Sequence, residues 1–99
     1  MLSIEKAKNG NERKLSLAGR LDTTTAPQLE AEVKENLDGT QNLIFDFENL
    51  EYISSAGLRV LLSAQKIMNK QGSMVVRNSS EEIREIFEVT GFSDILTIE

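Results

Sequence analysis

Leu43-Ile44-Phe45-Asp46-Phe47 is an almost unbroken apolar run, and from Ser54 or Ser55 to about Gln71 it is followed by apolar residues at helical spacing, Leu58, Leu61, Leu62 and Met68. A buried strand followed by a helix of that length must cross over, so the next strand is expected to lie parallel to the first. The same alternation runs through the chain. Leu2 and Ile4, then Leu15 and Leu17, flank Asn9-Gly10-Asn11 as two half-buried strands of a hairpin. Thr25 is placed to cap a helix, with Gln28 reaching back to it and Pro27 in the first turn. Leu29, Val33 and Leu37 then mark the buried face up to Gly39. Met74-Val75-Val76 reads as a short buried strand. Ser79-Ser80-Glu81-Glu82 has the capping-box pattern before Ile83, Ile86 and Phe87, Gly91 stops that helix, and Ile95, Leu96 and Ile98 suggest a last strand. The order ββαβαβαβ predicts an α/β fold, a single domain over 1–99 with a mixed, mostly parallel sheet and an N-terminal hairpin. The Leu43–Phe47 strand is expected to be central and covered on both faces, with a loop between it and Ser54.

Composition narrows the function classes. With 99 residues, 39% of them hydrophobic, the chain can bury about 60–70% of the surface its unfolded form exposes, enough for one core without staples. It has no cysteine and no histidine. That removes thiolate nucleophiles, zinc–cysteine sites, the usual general base and the Ser-His-Asp triad. Asp22, Asp38, Asp46 and Asp94 are scattered singly, so neither a metal site nor any cofactor is expected. A net charge of -5 argues against nucleic acid and anionic membranes, which need clustered Lys and Arg. No run approaches the roughly 18 apolar residues of a membrane span, and Met1–Lys6 has no signal character, so a soluble cytoplasmic protein is expected.

Ser54 and Ser55 stand where a strand gives way to a helix. Capping accounts for one serine there; a second hydroxyl, with Gly57 just beyond to allow close approach, points to a phosphorylation switch. The free N–H groups and positive dipole end of a helix favour the phosphoryl anion, which carries about -1.5 to -2 charges near neutral pH. Asp22 and Asp46 are expected to end strands at the same sheet edge, where they could hold the serine hydroxyl and repel a phosphate. Their plainer reading is turn chemistry. An enzyme reading finds little support. A nucleophile elbow needs glycine at position 53, which is Ile53, a Ser-Lys dyad would depend on Lys66 or Lys70, and no Gly-x-x-x-x-Gly-Lys loop exists.

Three segments, Gly19-Arg20-Leu21-Asp22, Leu43 to Leu58, and Phe87-Glu88-Val89-Thr90-Gly91-Phe92, resemble the STAS domain family, and within it the bacterial anti-sigma factor antagonists. The resemblance covers nearly the whole chain. It implies a non-enzymatic partner switch: the antagonist binds an anti-sigma factor that is also a serine kinase of GHKL-type fold, phosphorylation breaks the complex, and a PP2C-type phosphatase restores it. By the same resemblance Ser55 is the phosphoacceptor, with Ser54 the lesser alternative, and Asp22, Thr24, Ser54, Gly57, Leu58 and Arg59 belong to the docking surface with Asp46 in support. The family's usual aspartate before the acceptor is here Ser54. STAS domains that are never phosphorylated serve as adaptors in transporter or sensory complexes, and this is the alternative role.

Overall fold

A computed structural model describes residues 1–99. The elements are β1 (Leu2–Asn9), β2 (Glu12–Leu21), α1 (Ala26–Asn36), β3 (Asn42–Ile53), α2 (Ser55–Gln71), β4 (Ser73–Arg77), α3 (Glu81–Thr90) and a 3-10 turn at Phe92–Asp94. β1 and β2 form the antiparallel hairpin, and β2, β3 and β4 are parallel neighbours, in the order β1-β2-β3-β4. The last strand is a single parallel bridge, Ile98 to Val76, held by Val76 N–H to Thr97 O at 2.9 Å and Glu99 N–H to Val76 O at 2.9 Å. Residues 92–94 have already turned as a 3-10 helix, which shortens the stretch left to pair. The order expected from the sequence is therefore present, with a final strand shorter than its apolar residues suggested.

Successive right-handed crossovers that step the same way across a sheet place every helix on one face. One core of 23 buried residues results. Leu15, Leu17, Leu43, Phe45, Phe47, Met74 and Val76 of the sheet meet Leu29 and Val33 of α1, Leu58, Leu61 and Met68 of α2, and Ile83 and Phe87 of α3. The shortest dimension, 19 Å, is that of two layers. β3 is thus not covered on both faces. Ile44 is buried within the sheet's other face but stands outside that core, and the same face carries Lys14, Ser16, Asp46 and Arg77 in register.

β3 also continues where a loop was expected. Two register shifts against β2, between Ser16 and Ala18 and between Gly19 and Arg20, give it extra residues, and it stays paired as far as Leu21 opposite Ile53. Polar side chains at 48, 49 and 51 hide this from a hydrophobic pattern.

The helix starts differ from expectation in register. Thr25 makes no side-chain cap, since its hydroxyl donates to Arg20 O at 2.8 Å and accepts from Asp22 N–H at 2.8 Å. Gln28 reaches Leu2 O instead of the cap. At α3 the cap is Ser80, which accepts from Ile83 N–H at 3.2 Å, so no glutamate stands at the reciprocal position of a capping box. Gly91 ends α3 in the left-handed conformation, φ 81°, as its position suggested.

Candidate functional site

Asp22 leaves β2 and its carboxylate organises the entry to α1. Oδ1 accepts from Thr24 Oγ1 at 2.7 Å, Thr24 N–H at 3.0 Å and Thr25 N–H at 3.2 Å. The Thr24 hydroxyl bond holds this carboxyl below the usual range; partial burial pushes the other way, and the two threonine amides add to the lowering. Asp22 is thus the capping group displaced three residues from Thr25, and its Oδ2 lies 3.8 Å from Arg20 Nε.

The neighbouring strand delivers the serines to the same place. Leu21 pairs with Ile53, and Ser54 N–H donates to Leu21 O at 2.9 Å, so the residue before Asp22 is tied to the residue before Ser55. Ser54 is the N-cap of α2, with extended φ and ψ, and its Oγ accepts from Gly57 N–H at 3.4 Å. Ser55 is the first helical residue and is exposed. No acidic residue occupies the first turn of α2, and Arg59, also exposed, follows one turn later.

Gly57 has a different part from the one expected. A Cβ there would meet Leu21 Cγ at 2.7 Å and Ile53 Cγ1 at 2.9 Å. The glycine therefore lets α2 start against the ends of β2 and β3, and it opens no approach from outside. Gly57 and Leu58 are both buried, so neither belongs to the accessible surface on which the sequence placed them. Thr24, Ser55 and Arg59 are exposed and Asp22 and Ser54 half-buried, so these five form the accessible edge.

Asp46 is corrected as well. It lies in the middle of β3, opposite Ser16 and Arg77 on the face without helices. About seven residues, on the order of 20 Å of strand, separate it from Ile53. Its oxygens accept from Glu48 N–H at 3.0 Å and Asn78 Nδ2 at 3.1 Å and lie 3.5 Å from Lys14 Nζ. Burial raises its pKa, and these hydrogen bonds with the Lys14 charge outweigh that and lower it. Asp46 fastens strands together and does not reach Ser55. Lys66 likewise stands about 16 Å of helical rise from Ser55, and Lys70 farther, so no Ser-Lys dyad forms.

One feature of the edge escaped sequence reasoning. Arg20 and Tyr52 are cross-strand partners, and the guanidinium carbon sits 4.3 Å from the ring centroid. Knowledge of the bulged β2–β3 register, which brings 20 opposite 52, would have found the pair.

The STAS domain family model matches residues 3–99. The chain belongs to the STAS domain family. Over 84 residues it is 40% identical to BtrV of Bordetella bronchiseptica, provisionally named an anti-sigma factor antagonist, spanning 83% of this chain and 72% of that protein. It is 29% identical over 98 residues to the anti-sigma-B factor antagonist of Bacillus subtilis, covering 98% and 90% of the two chains. The phosphorylated form of the Bacillus cell fate determinant SpoIIAA superposes with a TM-score of 0.77 at 20% identity, covering 98% of this chain and 91% of that one, which establishes the shared fold. Antagonists of this STAS kind are regulatory binding proteins and not enzymes. No helix of this STAS domain is long and apolar enough to cross a membrane.

Proposed function

We propose that this STAS domain is an anti-sigma factor antagonist whose docking edge is switched by phosphorylation of Ser55. The names of its relatives support the antagonist role. The observation that carries the choice of residue is the division of labour at α2: Ser54 Oγ is engaged in the cap, whereas Ser55 is exposed on the first helical turn. The partner in this reading is an anti-sigma factor of GHKL-type serine kinase fold, met by Asp22, Thr24, Ser54 and Arg59 around the Ser55 hydroxyl. Transfer forms the bond from Ser55 Oγ to the γ-phosphorus of ATP as the bond to ADP breaks, and the hydroxyl proton leaves to a base of the kinase. A PP2C-type phosphatase hydrolyses the ester and resets the domain. The added dianion changes the surface at the edge that also carries Asp22, while the helix N-terminus absorbs it without unfolding.

Incubating the domain with its cognate kinase and ATP, then mapping the phosphate by mass spectrometry, tests the assignment. Label on Ser55, abolished in Ser55→Ala, is expected. Label confined to Ser54, or none, overturns it.

A further inference from the structure

We infer that Arg59 is a positioning residue for the modified state, closing as a clamp on phosphate carried by Ser55; this rests on the reading of Ser55 as acceptor. Residues four apart on a helix are surface neighbours, and Ser55 and Arg59 are both exposed on α2. Arg59 is the fifth residue of α2, just past the first turn, so the macrodipole does not favour a cation there, and that turn carries no acidic residue to pair with it. Nor is Arg59 among the six ion pairs of the domain, which engage Lys6, Arg13, Lys14, Arg20, Lys34 and Arg77. In the unmodified protein its charge therefore has no ion-pair partner.

A phosphoserine at 55 reverses that arrangement. Its oxygens accept from the helix N-terminus and from a guanidinium that offers two parallel donors one turn away. The other charges at this edge are Asp22, which repels the phosphate, and Arg20, which is shared between Asp22 and the Tyr52 ring. That leaves Arg59 as the cation free to pair. The clamp then holds the phosphate along α2, and it withdraws from the docking edge a positive charge that the unmodified form presents to its partner.

The test uses the full chain with phosphoserine incorporated at 55 during translation, so that it does not depend on the kinase. The second phosphate pKa, near 6 in the free residue, is followed by phosphorus NMR, and melting curves are recorded with and without the phosphate. Arg59→Gln is expected to raise that pKa by a few tenths of a unit, with Arg59→Lys recovering part of the difference. The sign of the stability effect is the sharper readout. Arg59→Gln leaves the unmodified melting temperature level or raises it slightly, and lowers that of the phosphorylated protein by about 1–4 °C. An unchanged titration together with equal shifts in both forms overturns the clamp. Failure of the kinase to label Ser55 would instead count against the proposed function, with the clamp still measured on its own.

Discussion

The chain opens two helices with a pair of serines and uses the pairs in opposite registers. At α3 the first serine, Ser79, is buried and the second, Ser80, caps; Glu81 and Glu82 then fill the first turn with carboxylates. At α2 the first serine, Ser54, caps and the second, Ser55, is exposed, followed by Ala56 and Gly57 with no acidic residue in that turn. Both helix starts have the same positive dipole end and the same unpaired N–H groups. One has its anions built into the sequence. The other lacks them, so under the proposed phosphorylation of Ser55 a dianion would meet a helix start that carries no acidic residue of its own.

The contrast is sharpest at the third helical position, Gly57 in α2 and Ile83 in α3, each donating its N–H to the capping serine. Gly57→Ala should destabilise by about 1–3 kcal/mol, because the new methyl drives into the buried Leu21 and Ile53 side chains. This exceeds the up to about 1 kcal/mol that alanine gains over glycine in a helix. Thermal melting should show a fall on the order of 5–15 °C. A variant as stable as the parent would mean that α2 does not start against the sheet as described.

Next come the caps. Ser80→Ala should cost about 1 kcal/mol in denaturant unfolding and Ser54→Ala about 0.5 kcal/mol, the weaker because its bond is the longer, 3.4 Å against 3.2 Å. Ser55→Ala should stay within about 0.5 kcal/mol of the parent, as for other exposed positions. If Ser55→Ala cost more than Ser54→Ala, the two hydroxyls would have exchanged roles. The anions make a matched pair of tests: Glu82→Gln in α3 should destabilise, and Ser55→Asp in α2 should stabilise, each by about 0.3–1 kcal/mol at low salt. Equal signs would break the comparison.

The smallest effect is in acid. The folded-state pKa of Asp22 is depressed, so its contribution is present above the unfolded value near 3.9 and is lost as pH falls through the lower folded value. Asp22→Asn should lower stability at neutral pH and converge with the parent as pH falls through the depressed folded-state value, as read from melts across the acid range. A constant gap at all pH values would mean that the carboxylate charge has no part in holding the α1 entry.

Much of this was legible before the fold was seen. The periodicities of Leu29 and Val33, of Leu58, Leu61 and Met68, and of Ile83 and Phe87 reported buried helix faces, because burial repeats with the helix turn. The Ser-Ser-x-Gly segment marked the start of α2, and the STAS resemblance assigned the family. What failed depended on register. β3 hides its outer half behind polar residues and bulges, so Asp46, expected where a strand ends, stands in mid-strand. Gly57 looked permissive because a sequence does not display Leu21 and Ile53 pressing on it. Thr25 fitted a cap, but Asp22, a stronger acceptor three residues earlier, took the amides. The Arg20–Tyr52 pair exists only once two strands are aligned across a bulge.

The most direct test is calorimetric titration of the cognate anti-sigma factor with the unmodified domain and with the same domain phosphorylated at Ser55, alongside their melting curves. Phosphorylation is expected to weaken binding by at least about tenfold, roughly 1.4 kcal/mol, while the melting temperature holds or rises. Equal affinity of the two forms, or loss of binding accompanied by unfolding, would contradict a switch that acts on the surface alone.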